Sequence, residues 1–177
     1  IISGTSLLLS LPFRRSFLSH SACIYRRHQA LNCSFYSLDS RSSDWDSLYR
    51  LACKGNVYYI PETVSFWRLT DRNISNVFSL EEAELNLSIW TRIYNAFTLQ
   101  RPFLAPLAFI VKYLCVCRCF INDLRLALTI EPALAIMFFI RTFKRFPLAV
   151  LLVPIFLSVS TLHSLFRHIS AVPHDKS

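Results

Sequence analysis

Two aspartates in the first hundred residues have the type and spacing that could do chemistry. Asp44 and Asp46 stand in the run S-D-W-D-S-L-Y-R-L-A, within residues 43–75. Ser43 with Asp46 three residues later fits a capping box, and Ser42 is an equally good cap. Both carboxylates then lie in the first turn of a helix, where unpaired backbone N–H groups and the helix dipole favour negative charge. A carboxylate aimed from a helix entry can act as a general base, or it can serve only to stabilise its helix.

The elements around the two aspartates follow from the pattern of apolar residues. A helix is predicted because four side chains recur at helical spacing: Trp45, Leu48, Tyr49 and Ala52. Arg50 is expected to form an ion pair on the surface of this helix. Gly55 is expected to end the helix in the left-handed conformation. Residues 57–60 then favour a β-strand that ends at Pro61, and residues 63–69 form a second extended segment.

The flanking segments complete the predicted organisation of this half of the chain. Residues 21–25 are apolar and indicate a short strand, which ends at Arg26 and Arg27. Residues 32–43 are polar and rich in serine, which indicates a loop. Residues 81–99 predict an amphipathic helix, because acidic residues fill the first turn and apolar residues recur on one face.

The run D-W-D-S-L-Y-R-L-A-C-K-G-N-V-Y-Y-I-P-E-T-V-S-F-W-R-L-T-D-R-N-I-S, with H-S-A-C-I-Y-R-R before it, resembles the carboxyl-terminal half of the catalytic domain in family 2 glycosyltransferases. The family pattern is an acid–Asp pair that opens a helix D-W-D-L-x-x-R-L, followed by G-x-x-x-Y-x-P-E and then Y-R-x-H. The likeness extends over residues 19–76. The chain departs from the pattern at Ser43, where the family most often has Glu, and at Thr70, where it often has His.

The resemblance implies an α/β fold. Residues 1–100 would be the carboxyl-terminal part of a GT-A (nucleotide-diphospho-sugar transferase) catalytic domain, and residues 101–177 a region of hydrophobic membrane-associated helices. The implied reaction is the inverting transfer of a sugar from a nucleotide-sugar donor to an acceptor hydroxyl of a glycolipid or polysaccharide precursor. The full-length enzyme would use the donor with a divalent metal, Mg or Mn. This chain is then expected to be a fragment that is inactive alone, because the donor-binding half is missing.

The resemblance also assigns roles to single residues. Asp44 corresponds to the catalytic base of the family. Trp45 would line the acceptor pocket or face the core, and Arg68 would reach a diphosphate or form a structural salt bridge. His20 and Arg27 belong to the strand that leads to the acceptor site. For Arg27, a solvated strand end is the alternative to a contact with diphosphate or acceptor.

We expect the residues of this chain to provide no metal site. The D-W-D run superficially looks like the D-x-D metal motif of these enzymes, but that motif follows a buried apolar strand and this one follows S-L-D-S-R-S-S. The run C-V-C-R-C at residues 115–119 lacks the paired C-x-x-C spacing of zinc sites. Its cysteines are read as small apolar residues that fill a core.

The composition points to a membrane. Apolar residues make up 53% of the chain and the mean hydropathy is +0.38, which is unusually high for a soluble domain. The net charge of +8 favours an anionic lipid surface. A nucleic-acid partner is not predicted, because the sequence has no zinc-finger spacing, RNA-binding aromatic motif or basic helix.

Three hydrophobic segments follow residue 101, at residues 103–121, 126–140 and 146–162. The first contains Lys112 and Arg118, and each charge would cost about 2.5–3.5 kcal/mol at the bilayer centre. We therefore expect helices that lie in the membrane interface, with one span or re-entrant hairpin near residues 126–162 and the basic residues 141–145 on the cytoplasmic face. The alternative is a soluble helical appendage packed on the domain.

A function of a different class is also consistent with the sequence. The protein would be a non-catalytic, membrane-associated protein, in which residues 43–75 only hold a helix in place.

Overall fold

A computed structural model gives the structure of residues 1–13, 22–38, 40, 42–58, 60, 78–155 and 157–158. Helices make up 78% of these residues. The elements in chain order are β1 (Ile2–Ser3), α1 (Gly4–Ser10), a 3-10 turn (Leu11–Phe13), α2 (Arg27–Leu31), α3 (Ser43–Ala52), β2 (Asn56–Val57), α4 (Leu80–Gln100), a second 3-10 turn (Pro102–Leu104), α5 (Ala105–Ile130), α6 (Pro132–Arg145) and α7 (Pro147–Leu151).

The expectation of an α/β fold of the GT-A type is wrong, because the described part of the chain is mostly helical. Its sheet consists of β1 and β2, which pair antiparallel over two residues each, Ile2 with Val57 and Ser3 with Asn56. A sheet this short cannot form one face of a core. Burial instead depends on helix faces that pack on one another, as the helical spacing of the apolar residues from residue 80 onward requires.

The strands predicted in the first hundred residues are mostly not formed among the residues that the structure describes. Residues 23–26 have no regular structure and lead into α2, so the strand predicted at residues 21–25 is not formed there. Of the strand predicted at residues 57–60, Val57 alone lies in β2. The second extended segment, residues 63–69, lies outside the described residues.

Helix α4 is confirmed as a helix with a buried face. Its N-cap is Ser79, whose Oγ accepts a hydrogen bond from the backbone N–H of Glu82, and two glutamates occupy the first turn. Trp90, Ile93 and Phe97 lie on the buried face. This face packs along α5, which also contacts α6 and α7, so the α4–α5 pair lies at the centre of the fold.

Helix α1 approaches α3 at a glycine. The backbone N–H of Gly4 donates to the carbonyl oxygen of Gly55 at 2.8 Å, and a Cβ on Gly4 would lie 1.7 Å from the carbonyl oxygen of Ala52. Only a residue without a side chain permits this approach. The left-handed conformation predicted for Gly55 is not adopted, because no described glycine has a positive φ.

In the hydrophobic second half of the chain, the longest helix does not lie where the sequence predicts a membrane span. Together, the second 3-10 turn and α5 run over residues 102–130, and the most apolar 18 residues of this stretch have a mean hydropathy of 1.9. By length and composition the stretch could cross a membrane. The span was expected near residues 126–162, but there the chain breaks at Pro132 and at Pro147. Residues 156 and 159–162 of that segment lie outside the described residues.

Candidate functional site

Asp44 lies in the first turn of α3, as the sequence predicts. Helix α3 begins at Ser43 with Ser42 as its N-cap, and neither the capping box nor a side-chain cap from Ser42 forms. The half-buried Asp44 accepts a hydrogen bond from the backbone N–H of Trp45 through Oδ1 at 2.9 Å. Its negative charge also acts on Cys23: burial is the main cause that raises the pKa of this thiol, and Asp44 raises it further.

Asp46, two residues later, is fully buried and is bound by two arginines. Its carboxylate lies 2.9 Å from Arg50 Nη2 and 3.1 Å from Arg92 Nε, and its side chain has 0% exposure. The ion pair predicted for Arg50 is therefore confirmed. A buried carboxylate requires such partners, since removal from water disfavours its charge. Asp46 thus joins α3 to α4 and is not available as a base.

Arg50 also stabilises the loop before α3 through hydrogen bonds. Its guanidinium donates to the carbonyl oxygens of Cys33 at 2.7 Å and Ser34 at 3.1 Å. The backbone N–H of Tyr36 donates to Ser47 Oγ at 2.9 Å. Ser34 and Tyr36 have positive φ values of 49° and 56°, so the loop turns sharply at the two residues. The hydrogen bonds above hold both turns.

Trp45 faces the protein core. It packs against Trp90, with 6.2 Å between ring centroids, and lines a cavity between α3, α4 and α5. The cavity has a volume of about 30 Å³. A water needs at least about 10–15 Å³ on this measure, so the cavity has room for two or three waters and is too small for a sugar ring.

The same cavity brings together Arg118 and two of the cysteines that the sequence indicates as residues filling a core. Arg118, Cys115 and Cys119 line it, and the Arg118 guanidinium donates to the carbonyl oxygens of Leu11 and Pro12. Burial raises the pKa of Cys115 to about 12 and that of Cys119 well above its ordinary value. Both thiols therefore stay protonated at neutral pH, which does not suit a nucleophile. No group of three metal-binding side chains occurs among the residues that the structure covers.

Of the remaining predicted site residues, the structure describes Arg27. Arg27 is the first residue of α2, which packs on α3, and its side chain is exposed. His20 and Arg68 lie outside the described residues, as does Thr70. The contact between Arg92 and Asp46 joins residues 46 positions apart, and no local sequence pattern signals it.

The second candidate site is the outer face of α6, formed by exposed apolar side chains: Ile136, Met137, Phe139, Ile140 and Phe143. The opposite face of the helix is buried at Ala135, Phe138 and Thr142. A basic edge, formed by Arg141, Lys144 and Arg145, borders the outer face. An exposed apolar face bordered by basic side chains is typical of helices that lie in a membrane interface.

Neighbouring helices also expose large apolar side chains. In α5 and the turn before it these are Phe103, Leu107, Phe109, Ile110, Leu128 and Ile130, and in α7 they are Leu148 and Leu151. Lys112 Nζ lies over the rings of Phe109 and Tyr113, 5.1 Å and 4.7 Å from their centroids. Soluble monomers rarely expose this much apolar surface without a binding role.

The chain was compared with protein-family models, with curated proteins and with solved structures, and no match was found in any of the three.

Proposed function

We propose that the protein is a non-catalytic, membrane-associated helical protein, which lies in the membrane interface through the outer face of α6. The observation that carries the proposal is the exposure of five large apolar side chains on this one helix, next to a basic edge. Burial of these side chains among lipid headgroups and acyl chains stabilises the bound state by about 25 cal/mol for each Å² removed from water.

The packing of α5 favours an interfacial position over a transmembrane one. Helix α5 packs closely along α4, and 33% of its most apolar window is buried inside the protein. A membrane span by α5 would draw α4 into the bilayer with it. Helix α4 carries Glu84 and Arg92 in addition to the glutamates of its first turn. Each of these charges would cost about 2.5–3.5 kcal/mol at mid-bilayer. The α4–α5 pair is therefore more stable when α4 faces water than when both helices enter the bilayer.

The charge of the chain favours the cytoplasmic face of the membrane. The basic edge of α6 adjoins its outer face, and the whole chain carries a net charge of +8. Cytoplasmic leaflets contain anionic lipids, and each Lys or Arg near such a surface contributes about 1 kcal/mol to binding. Long cationic side chains can also extend from a helix in the interface to the level of the headgroups. We expect Lys112 of α5 to do so.

Vesicle flotation tests the proposal. The protein is expected to float with phospholipid vesicles, and Ile140→Asp is expected to abolish flotation because it introduces a charge into the outer face. Ile24→Asp is the matched control, since Ile24 is fully exposed outside α6. Alkaline carbonate should release the bound protein, as expected for an interfacial helix. Flotation of Ile140→Asp at the wild-type level, or resistance to carbonate, would contradict the proposal.

One observation keeps glycosyl transfer as a second candidate function. Asp44 lies where the resemblance expects the base, in the first turn of α3, and it is half-buried rather than enclosed in the core. In a protein that also carries the donor-binding half, Asp44→Asn should abolish transfer and leave nucleotide-sugar binding nearly intact, because a base acts on the chemical step. Retained turnover would remove Asp44 from this role.

A further inference from the structure

We infer that Lys144 and Arg145, in the last turn of α6, bind the headgroups of anionic phospholipids. The inference rests on the proposed function, because it requires the outer face of α6 to lie on a membrane. It adds a lipid class to that function: the apolar face accounts for attachment to any bilayer, whereas these two cations select a bilayer with negative charge.

The three cations of the basic edge differ in their surroundings. Arg141 Nη1 pairs with Glu84 Oε1 at 3.1 Å, which offsets the charge of Arg141. Lys144 and Arg145 are exposed, and neither takes part in an ion pair within the ranges that the structure covers. Arg145 lies over the ring of Phe146, with 5.5 Å from Cζ to the centroid. Two exposed positive charges therefore remain for an external anion.

The position of these cations on α6 suits a headgroup. Lys144 follows Ile140 by four residues and lies one turn beyond it on the outer face, whereas Arg145 follows Arg141 by four residues and continues the basic edge. When apolar side chains of an interfacial helix enter the boundary between headgroups and acyl chains, its Lys and Arg side chains extend toward the phosphate layer. Phosphate and carboxylate oxygens are the acceptors that ammonium and guanidinium groups bind best.

A structural role is the alternative for the same two residues. Cations in the last turn of a helix interact favourably with the helix dipole, and this effect needs no lipid. The dipole effect predicts a change in the stability of α6 when the charges are removed, but it predicts no preference between membranes. Lipid selectivity therefore separates the two roles.

The experiment compares binding to phosphatidylcholine vesicles with binding to phosphatidylcholine vesicles that contain phosphatidylserine. The Lys144→Gln/Arg145→Gln variant is expected to bind the phosphatidylserine vesicles about 30-fold more weakly than the wild type. Its binding to pure phosphatidylcholine should be unchanged. The matched control is Arg26→Gln/Arg125→Gln, which removes the same net charge from exposed positions elsewhere and should retain wild-type binding to both vesicles.

The possible outcomes separate this inference from the function on which it rests. Equal binding of the wild type to both vesicles would overturn the inference and leave membrane association intact. An equal loss for the control variant would show that net charge alone matters, and it would also overturn the inference. Absence of binding to either vesicle would overturn the proposed function itself.

Discussion

At the scale of single residues, the contacts of α3 converge on Asp46. Its carboxylate is held by Arg50 from α3 and by Arg92 from α4. We predict that Asp46→Asn destabilises the fold by about 1.5–3 kcal/mol, because it removes the charge that accepts hydrogen bonds from both arginines, while the arginines themselves stay partly exposed. Urea denaturation followed by circular dichroism measures the change in the free energy of unfolding.

Asp44→Asn is the matched control for this prediction. Asp44 lies on the same helical turn but is half-buried, and its replacement should cost less than about 1 kcal/mol, the range of a first-turn dipole interaction. An equal loss of stability in the two variants would contradict the assignment of Asp46 as the structural aspartate.

The two glycines of the chain should differ in their tolerance of a methyl group. Gly4→Ala places a Cβ against the carbonyl oxygen of Ala52 and should lower the melting temperature by several degrees. Gly55→Ala meets no atom within 4 Å and has no positive φ, so it should be neutral or slightly stabilising. Thermal unfolding of both variants checks this, and a destabilised Gly55→Ala would be the adverse result.

At this scale the sequence predicts the first-turn position of Asp44 but not which aspartate is paired. The helix is signalled locally, by the apolar spacing of Leu48, Tyr49 and Ala52. The second partner of Asp46, Arg92, lies 46 residues away in α4, and the tight packing of Gly4 depends on a contact with residues 52 and 55. Such long-range contacts are fixed by the tertiary fold, and local patterns do not encode them.

At the scale of elements, α6 offers two adjacent phenylalanines with opposite environments. Phe138 is 0% exposed and packs against Phe78 and Phe120, whereas Phe139 is 42% exposed on the outer face. We predict that Phe138→Ala costs about 3–5 kcal/mol of stability. Phe139→Ala should cost less, about 1–2 kcal/mol, because its ring contacts Phe120 and Phe143 but is partly exposed, and it should weaken vesicle binding several-fold.

Chemical denaturation and vesicle flotation, applied to both variants, measure these effects separately. A Phe139→Ala variant that is as unstable as Phe138→Ala would mean that the outer face of α6 is part of the core. Unchanged flotation of a stable Phe139→Ala variant would mean that this ring does not contact lipid.

The elements themselves were predictable to different degrees. Helix α4 was predicted from its acidic first turn and apolar spacing, and the structure begins it one residue earlier and ends it one residue later. The continuous length of α5 is not predicted, because the sequence divides this stretch between two hydrophobic segments, residues 103–121 and 126–140. The structure accommodates Lys112 against two aromatic rings, and Arg118 against carbonyl oxygens at the end of the first 3-10 turn. The contact of Arg118 is tertiary, and the contact of Lys112 depends on the orientation of its side chain, so neither can be predicted from a local pattern.

At the scale of the whole molecule, the α/β expectation failed because it rested on a resemblance between short segments rather than on strand patterns. Residues 57–60 have high β-propensity, but a strand needs partners, and the described residues offer β1 alone. The prediction of a hydrophobic, helical second half depended on composition and apolar runs, and these do appear as α5, α6 and α7. Composition over long windows was thus a better guide than the motif.

The proposed cytoplasmic face leads to a prediction about glycosylation. The chain contains Asn-x-Ser sequons at Asn32, Asn73 and Asn86, and Asn32 is exposed whereas Asn86 is buried in α4. Expressed in cells that glycosylate secreted proteins, the chain should carry no N-linked glycan, because Asn32 would not reach the lumen. Endoglycosidase treatment followed by electrophoresis checks this. A mobility shift that disappears in Asn32→Gln would contradict the orientation.

The most direct test of the central claim is photo-crosslinking to lipid from defined positions of the chain. Benzoyl-phenylalanine replaces Phe139 and Phe143 on the outer face of α6, and as a control it replaces Tyr58, an aromatic residue that is 71% exposed outside the α5–α7 region. With vesicles present, mass spectrometry should detect acyl-chain adducts at positions 139 and 143 and none at position 58. Equal adducts at all three positions, or none at 139 and 143 in vesicle-bound protein, would contradict the interfacial position of α6.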